Sequence, residues 1–164
     1  MRPRQCIARC YIDTVNGDEL RRLRVRHALT QRAVAAAAGI GQPELSAIEH
    51  GRRGSDESRL RVERAIRSLA RPVIDAGIRS RVRALLAEHG VERAQIIGSV
   101  ARGDERPGSD LDILAVFPPG FDLFELLDLE AELEEIVGVP VDLVSDDPRT
   151  AHALRDARRT ALAL

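Results

Sequence analysis

The sequence predicts an α+β protein in two parts: an all-α N-terminal region, then a small mixed β-sheet flanked by helices. Three observations lead there. From Asp18 to Ala70 the apolar residues recur at helical spacing between capping and turn residues. Beyond Ala76, short apolar runs ending at Ile96-Ile97, spanning Ile113 to Phe117 and spanning Val139 to Val144 read as strands separated by helical stretches. The charge divides at the same place, with 15 arginines against 9 acids up to Asp75, a net of +6, and 10 against 17 after it, a net of −7.

A chain of 164 residues with 44% hydrophobic content holds one ordinary domain or two small ones, and the charge asymmetry favours two. A basic half points to a polyanionic partner such as nucleic acid, and an acidic half suits a metal and nucleotide site or a basic protein partner. The absence of lysine reads as genome composition rather than chemistry. Residues 1–17 form an arm with no assigned role, whose Arg2, Arg4 and Arg9 either touch a phosphate backbone or are solvated. Cys6 and Cys10, the only cysteines, lack the further ligands of a tetrahedral zinc site and read as free thiols. No apolar run has membrane-spanning length and Met1 to Val15 lacks a signal-peptide core, so the expected location is the cytoplasm, with no membrane partner.

From Asp18 a first helix carries Leu20 and Leu23 in a stripe that runs on to His27, with Asp18-Glu19 in the turn the helix dipole favours. Thr30 is a good N-cap for a second helix, Gln31 to Ala38, and Gly39 can take the left-handed turn that ends it. A third helix starts near Gln42-Pro43, where proline costs no intrahelical bond. Counting from Gln31, Val34 and Ala35 stand fourth and fifth, Gly39 ninth, Leu45 fifteenth and Ile48 eighteenth, the pattern of a helix-turn-helix. Together with Gln42, Ser46, Glu49 and Gly51 these residues resemble the Xre/Cro-type repressor family over 18–70. If that region binds double-stranded DNA, Gln42 and Glu44 would meet base edges, while Gln31, Ser46, Arg52 and Arg53 are better placed for phosphates. Pro43 and Ala47 depart from the family's polar base-reading positions. One copy contacts few phosphates, so a homodimer or a hetero-oligomer with a partner is expected.

Ser55-Asp56-Glu57 caps a helix to about Ala70, with Leu60, Val62, Ile66 and Leu69 inward. Residues 71–75 are a linker, and a helix from Ala76 to His89, apolar at Ile78, Val82, Leu85 and Leu86, opens the second domain, 76–164. Ile96-Ile97 then end a short strand. Gly98-Ser99 turn out of it, Ser99 to Arg102 begin a helical turn, and Asp110 to Phe117 form a second strand. Strand side chains alternate, so Asp110 and Asp112 share one face. Two bare carboxylates there would repel each other, and a cation between them relieves this. Hard oxygen ligands beside a loop able to hold phosphate point to magnesium shared with a nucleoside triphosphate. Gly98 allows close backbone approach to that ligand, and Arg102 adds charge-assisted hydrogen bonds.

The helix from Phe121 to Val137 carries seven acids and no base, mostly as a solvated surface, with Leu123, Leu126, Leu127, Leu129, Leu133 and Ile136 covering the sheet. Asp142 then lies inside Val139-Pro140-Val141-Asp142-Leu143-Val144, where a charge is costly unless a cation pairs with it. Residues 147–164 read as helical, and His152 has no evident partner.

The Gly98-Ser99 pair, ten intervening residues and the Asp110-Leu111-Asp112 triplet, between apolar strands, resemble the signature of minimal nucleotidyltransferases in the DNA polymerase beta-like superfamily. In detail the resemblance is to the MntA-type antitoxins that pair with HEPN-domain toxins. It implies that Gly98 and Ser99, helped by Arg102 and Ser109, hold the triphosphate of ATP, and that Asp110 and Asp112 hold two Mg2+ ions. Asp142 matches the family's third acidic position and would position the acceptor hydroxyl or take its proton. No acceptor domain follows the third strand, so the acceptor is expected on another molecule. The resemblance implies a tyrosine of a HEPN toxin that receives AMP, with the basic domain binding the operon's own promoter. Two other classes stay open: a DNA-binding regulator whose transferase half is inactive, only senses nucleotide or only binds the toxin, and a transferase acting on a small molecule or RNA.

Overall fold

The computed structural model describes residues 15–147 and 154–164, so the readings made at Arg2, Arg4, Cys6, Arg9, Cys10 and His152 lie outside the described residues. Two compact units result, one from residues 15–25 with 30–66 and the other from 26–29 with 67 onward. Among the described residues no helix is long and apolar enough to cross a membrane.

The helical unit contains α1 (Gly17–Arg26), α2 (Gln31–Ala38), α3 (Gln42–Glu49) and most of α4 (Asp56–Leu69). Asn16 and Glu19 exchange hydrogen bonds, Glu19 N donating to Asn16 Oδ1 at 3.0 Å and Asn16 N to Glu19 Oε2 at 2.9 Å. This reciprocal box starts α1 ahead of Asp18. The helix stops at Arg26 rather than running through His27, because Ala28 takes a left-handed φ of 52°. Thr30 Oγ1 accepts from Ala33 N at 3.1 Å to open α2, and Gly39 at φ 66° closes it. Leu20, Val34, Ala35, Ala38, Leu45, Ile48, Val62, Ala65 and Ile66 are buried together in this unit's core. Gly17 admits α3 closely, since a Cβ there would lie 2.0 Å from the Ile48 carbonyl oxygen. Leu60, expected inward, is exposed: it precedes Val62 by two residues, about 200° around the helix from the buried stripe.

The second unit contains α5 (Ala76–Glu88), β1 (Arg93–Ile96), α6 (Gly98–Arg102), β2 (Leu111–Val116), α7 (Leu123–Val137), β3 (Val141–Ser145), α8 (Arg155–Thr160) and β4 (Leu162–Ala163). The strands form one mixed sheet in the order β3-β2-β1-β4. β1 is antiparallel to β2 and β4, while β2 and β3 are parallel. Leu111, Ile113 and Ala115 of β2 face Val82 and Leu86 of α5 and Leu129, Leu133 and Val137 of α7 in one core. Side-chain alternation sends Asp112 and Leu114 to the other face. The C-terminal segment departs from the helical reading. α8 is only six residues long, and the chain then extends to pair with β1 through Gln95↔Ala163 and Ile96↔Leu162.

α7 also departs from its reading. Asp122 and Glu125 form its capping box. Glu130 Oε1 accepts from Leu143 N at 3.0 Å and Glu134 Oε1 from Val141 N at 3.4 Å. β3 is an edge strand, so these glutamates satisfy outward N–H groups that would otherwise offer themselves to another chain. At least these four of the seven acids are therefore structural rather than a solvated surface. Leu123 and Leu127, assigned to the sheet-covering face, are exposed, because they lie to one side of the buried stripe of Leu129, Leu133 and Val137, about 80° and about 120° around the helix from its centre.

Glu49, at the end of α3, is fully buried. Its carboxylate accepts from Arg24 Nε at 2.6 Å, Arg24 Nη2 at 3.0 Å and Gln31 Nε2 at 2.8 Å. Burial pushes its pKa up, but the hydrogen bonds from Arg24 and Gln31 and the charges of Arg24 and Arg21 outweigh it and hold it below the ordinary value. With a lowered folded pKa, the stabilisation is present above the unfolded value and lost as pH falls through the folded one. Protection factors of the α2 and α3 amides in the full chain, corrected for intrinsic exchange rates, should fall as pH drops below the ordinary glutamate range, and the non-titrating Glu49→Gln should flatten that dependence. Glu49→Ala, which removes the buried carboxylate that pairs with Arg24, should cost about 3 kcal/mol. Equal pH slopes in wild type and Glu49→Gln would remove this role.

Candidate active site

β1 runs into Ile97, whose N–H donates to the Asp112 carbonyl at 3.0 Å, and the chain then turns sharply through Gly98 into α6. Gly98 has φ 70°, and a Cβ there would lie 1.9 Å from Asp112 Oδ2. The missing side chain is thus required by the carboxylate behind it, a constraint that the reading of Gly98 as a ligand-approach residue did not contain. Ser99 lies in the first turn of α6 and Arg102 ends it, before Gly103 at φ 71°. Arg102 Nε pairs with Asp104 Oδ2 at 3.2 Å. Ser109 Oγ accepts from Arg106 N at 2.9 Å, which closes the loop leading to β2.

Leu111 N donates to the Pro140 carbonyl at 2.9 Å and sets the register of β2 against β3, in which Asp112 stands opposite Asp142. Asp110 precedes the strand by one residue. The outcome is that carboxylate oxygens of Asp110, Asp112 and Asp142 lie within 4.8 Å of one another. Asp110 and Asp142 are exposed and Asp112 is half-buried. The Asp112 pKa is raised, first by burial and then by the negative charges of Asp110 and Asp142, with Arg102 opposing. Three acceptor-only groups this close, one already paying for its charge, form a donor set that suits a hard divalent cation such as magnesium.

A separate open cavity of about 830 Å³, with Arg83, Arg93, Gln95 and Leu114 in its walls, includes none of the expected site residues. In the helical unit Gln42, Glu44, Arg52 and Arg53 are exposed and Ser46 is half-buried. Gln31 donates to Glu49, so part of its amide is engaged inside the unit. Neither Glu49's burial nor its partners was foreseen; Arg24 and Gln31 lie 25 and 18 residues away.

Gly98 and Gly103 offer a matched comparison. Both have φ near 70°, but nothing lies within 4 Å of a Cβ at Gly103. Gly103→Ala should lower stability by about 1 kcal/mol through backbone strain alone. Gly98→Ala should cost more and also displace the Asp112 carboxylate, read as a fall in Mg2+ affinity by titration calorimetry that Gly103→Ala does not show. Equal Mg2+ affinity in the two variants would refute the contact's importance.

A family model described as a nucleotidyltransferase domain matches residues 78–161, half of the chain, and one described as a helix-turn-helix domain matches residues 17–75. A Methanocaldococcus jannaschii protein, provisionally named a protein adenylyltransferase, is 43% identical over 68 residues, 42% of this chain and 73% of that protein. The protein adenylyltransferase MntA of Thermococcus cleftensis is 40% identical over 55 residues, 34% of this chain and 56% of that protein. A solved structure provisionally titled a minimal nucleotidyltransferase shares 38% identity and a TM-score of 0.45, covering 54% of this chain and 93% of that one. With converging carboxylates behind a glycine-serine turn in the matched segment, and a relative matched over nearly three quarters of its length, this chain belongs to the nucleotidyltransferase family and joins that domain to a helix-turn-helix.

Proposed function

We propose that this protein transfers AMP from ATP to a hydroxyl of a partner protein, and that its helix-turn-helix domain binds the promoter of its own operon. The observation that carries the transfer reading is the convergence of Asp110, Asp112 and Asp142 within 4.8 Å. The names of the matched relatives support a protein acceptor. The MntA-type resemblance supports a tyrosine of a HEPN-domain toxin. We assign residues 18–70 to DNA binding, 71–75 to the linker and 76–164 to transfer.

Asp110, Asp112 and Asp142 are the residues that would hold Mg2+, as two ions. Bound there, the metal supplies Lewis-acid polarisation of the phosphates and neutralises developing charge. Ser99 and the Gly98 backbone, with Arg102 and Ser109, receive the triphosphate oxygens and steady the departing pyrophosphate. Asp142, exposed at the edge strand, positions the acceptor hydroxyl or assists its deprotonation. The acceptor oxygen forms a bond to the α-phosphorus as the bond to the β-phosphate oxygen breaks. In the helical unit Gln42 and Glu44 address base edges, and Ser46, Arg52, Arg53 and Gln31 address phosphates of double-stranded DNA. A homodimer or a complex with the toxin would multiply those contacts.

Incubation with α-labelled ATP, Mg2+ and the HEPN-domain protein should place label on that protein. Asp110→Ala with Asp112→Ala should lower the rate by at least about a thousandfold, since both metal-holding carboxylates are gone. Label found instead on added RNA or a small molecule would replace the acceptor class. No label, with promoter binding intact, would leave a DNA-binding regulator.

A further inference from the structure

All three phenylalanines of the chain fall within eight residues, at Phe117, Phe121 and Phe124, in a protein that is only 2% aromatic. Phe117 and Phe121 stack with ring centroids 4.8 Å apart. They line a shallow groove of about 250 Å³ with Pro118, Leu123, Leu126 and Leu143. Phe124 does not enter the core: it is 77% exposed, beside Leu123 at 64% and Leu127 at 52%. Positions 123, 124, 127 and 131 follow one another at helical spacing, so the outer surface of α7 carries a second apolar stripe that ends at exposed Ala131. The sheet and α5 cover the buried stripe of α7, while among the described residues nothing covers this second one, whose Leu123, Phe124 and Leu127 stay exposed.

The charge identifies the occupant. α7 and its cap carry seven acids and no base, with Asp128, Glu132 and Glu135 exposed around the stripe. Two copies meeting isologously on this stripe would bring Asp128, Glu132 and Glu135 of one helix against the same three of the other and repel. A basic partner is attracted and oriented by the same field. We propose that this corner of α7 is a docking surface for the acceptor protein, which lays on it an amphipathic helix with an apolar seam and arginine or lysine flanks. Phe124 is its central anchor, and the groove beside the stacked pair receives an apolar side chain. That the docked protein is the acceptor rests on the transfer reading above; the surface itself does not.

The test compares wild-type full chain with Phe124→Glu, Leu127→Glu and Asp128→Arg, all at exposed positions, after thermal melts show that each folds. Affinity for the HEPN-domain protein is measured by sedimentation, Mg2+-dependent ATP binding with a fluorescent analogue, and AMP transfer with labelled ATP. Phe124→Glu and Leu127→Glu should each weaken the complex at least about 30-fold, Asp128→Arg about fivefold, and none should change ATP binding more than twofold. Unchanged affinity in Phe124→Glu, no complex with wild type, or a wild-type homodimer that Phe124→Glu dissolves would each overturn the docking proposal. A wild-type complex lost in Phe124→Glu but never labelled would uphold the docking surface and sink the transfer reading instead.

Discussion

Asp112 and Asp142 stand opposite each other in a parallel ladder, with Asp110 at the mouth of the same strand, so three negative groups face one another across a few ångströms. Folding brings these charges together against their mutual repulsion, and the Asp112 pKa is raised first by its burial and then by that repulsion. Much of the surrounding structure serves to hold that arrangement. The β2–β3 register is pinned at its start by Leu111 N on the Pro140 carbonyl, and the outer edge of β3 is held by Glu130 and Glu134. A one-residue slip would send Asp142 to the opposite face of the sheet.

Gly98 is the second constraint on the same carboxylate. A turn with positive φ lets the chain pass directly over Asp112, and any Cβ would collide with it. The turn and the acid therefore depend on each other: Asp112 fixes what can occupy position 98, and Gly98 fixes where α6 begins.

Much of this was legible. The spacing of Val34, Ala35, Gly39, Leu45 and Ile48 encodes helix packing through one side chain per turn, and α2 and α3 form there. The alternation around Asp110 and Asp112 encodes a shared face because a strand has a period of two. What escaped has physical reasons. Glu49 is indistinguishable in sequence from a surface glutamate, since its burial depends on Arg24 and Gln31 arriving from other helices. β4 is two residues long, too short to carry a period, and exists only because β1 offers an edge. Leu123 and Leu127 were absorbed into one broad apolar face, because hydrophobicity along a helix does not say which of two stripes meets the sheet.

The convergence of the three aspartates can be measured without any reaction. Electron paramagnetic resonance of Mn2+, a close substitute for Mg2+, counts bound metal on the full chain with and without ATP. Wild type should bind Mn2+ more tightly when ATP is present, and Asp110→Asn, Asp112→Asn and Asp142→Asn should each weaken it at least about tenfold. Binding that is absent in wild type, or indifferent to all three substitutions, would contradict a shared carboxylate site.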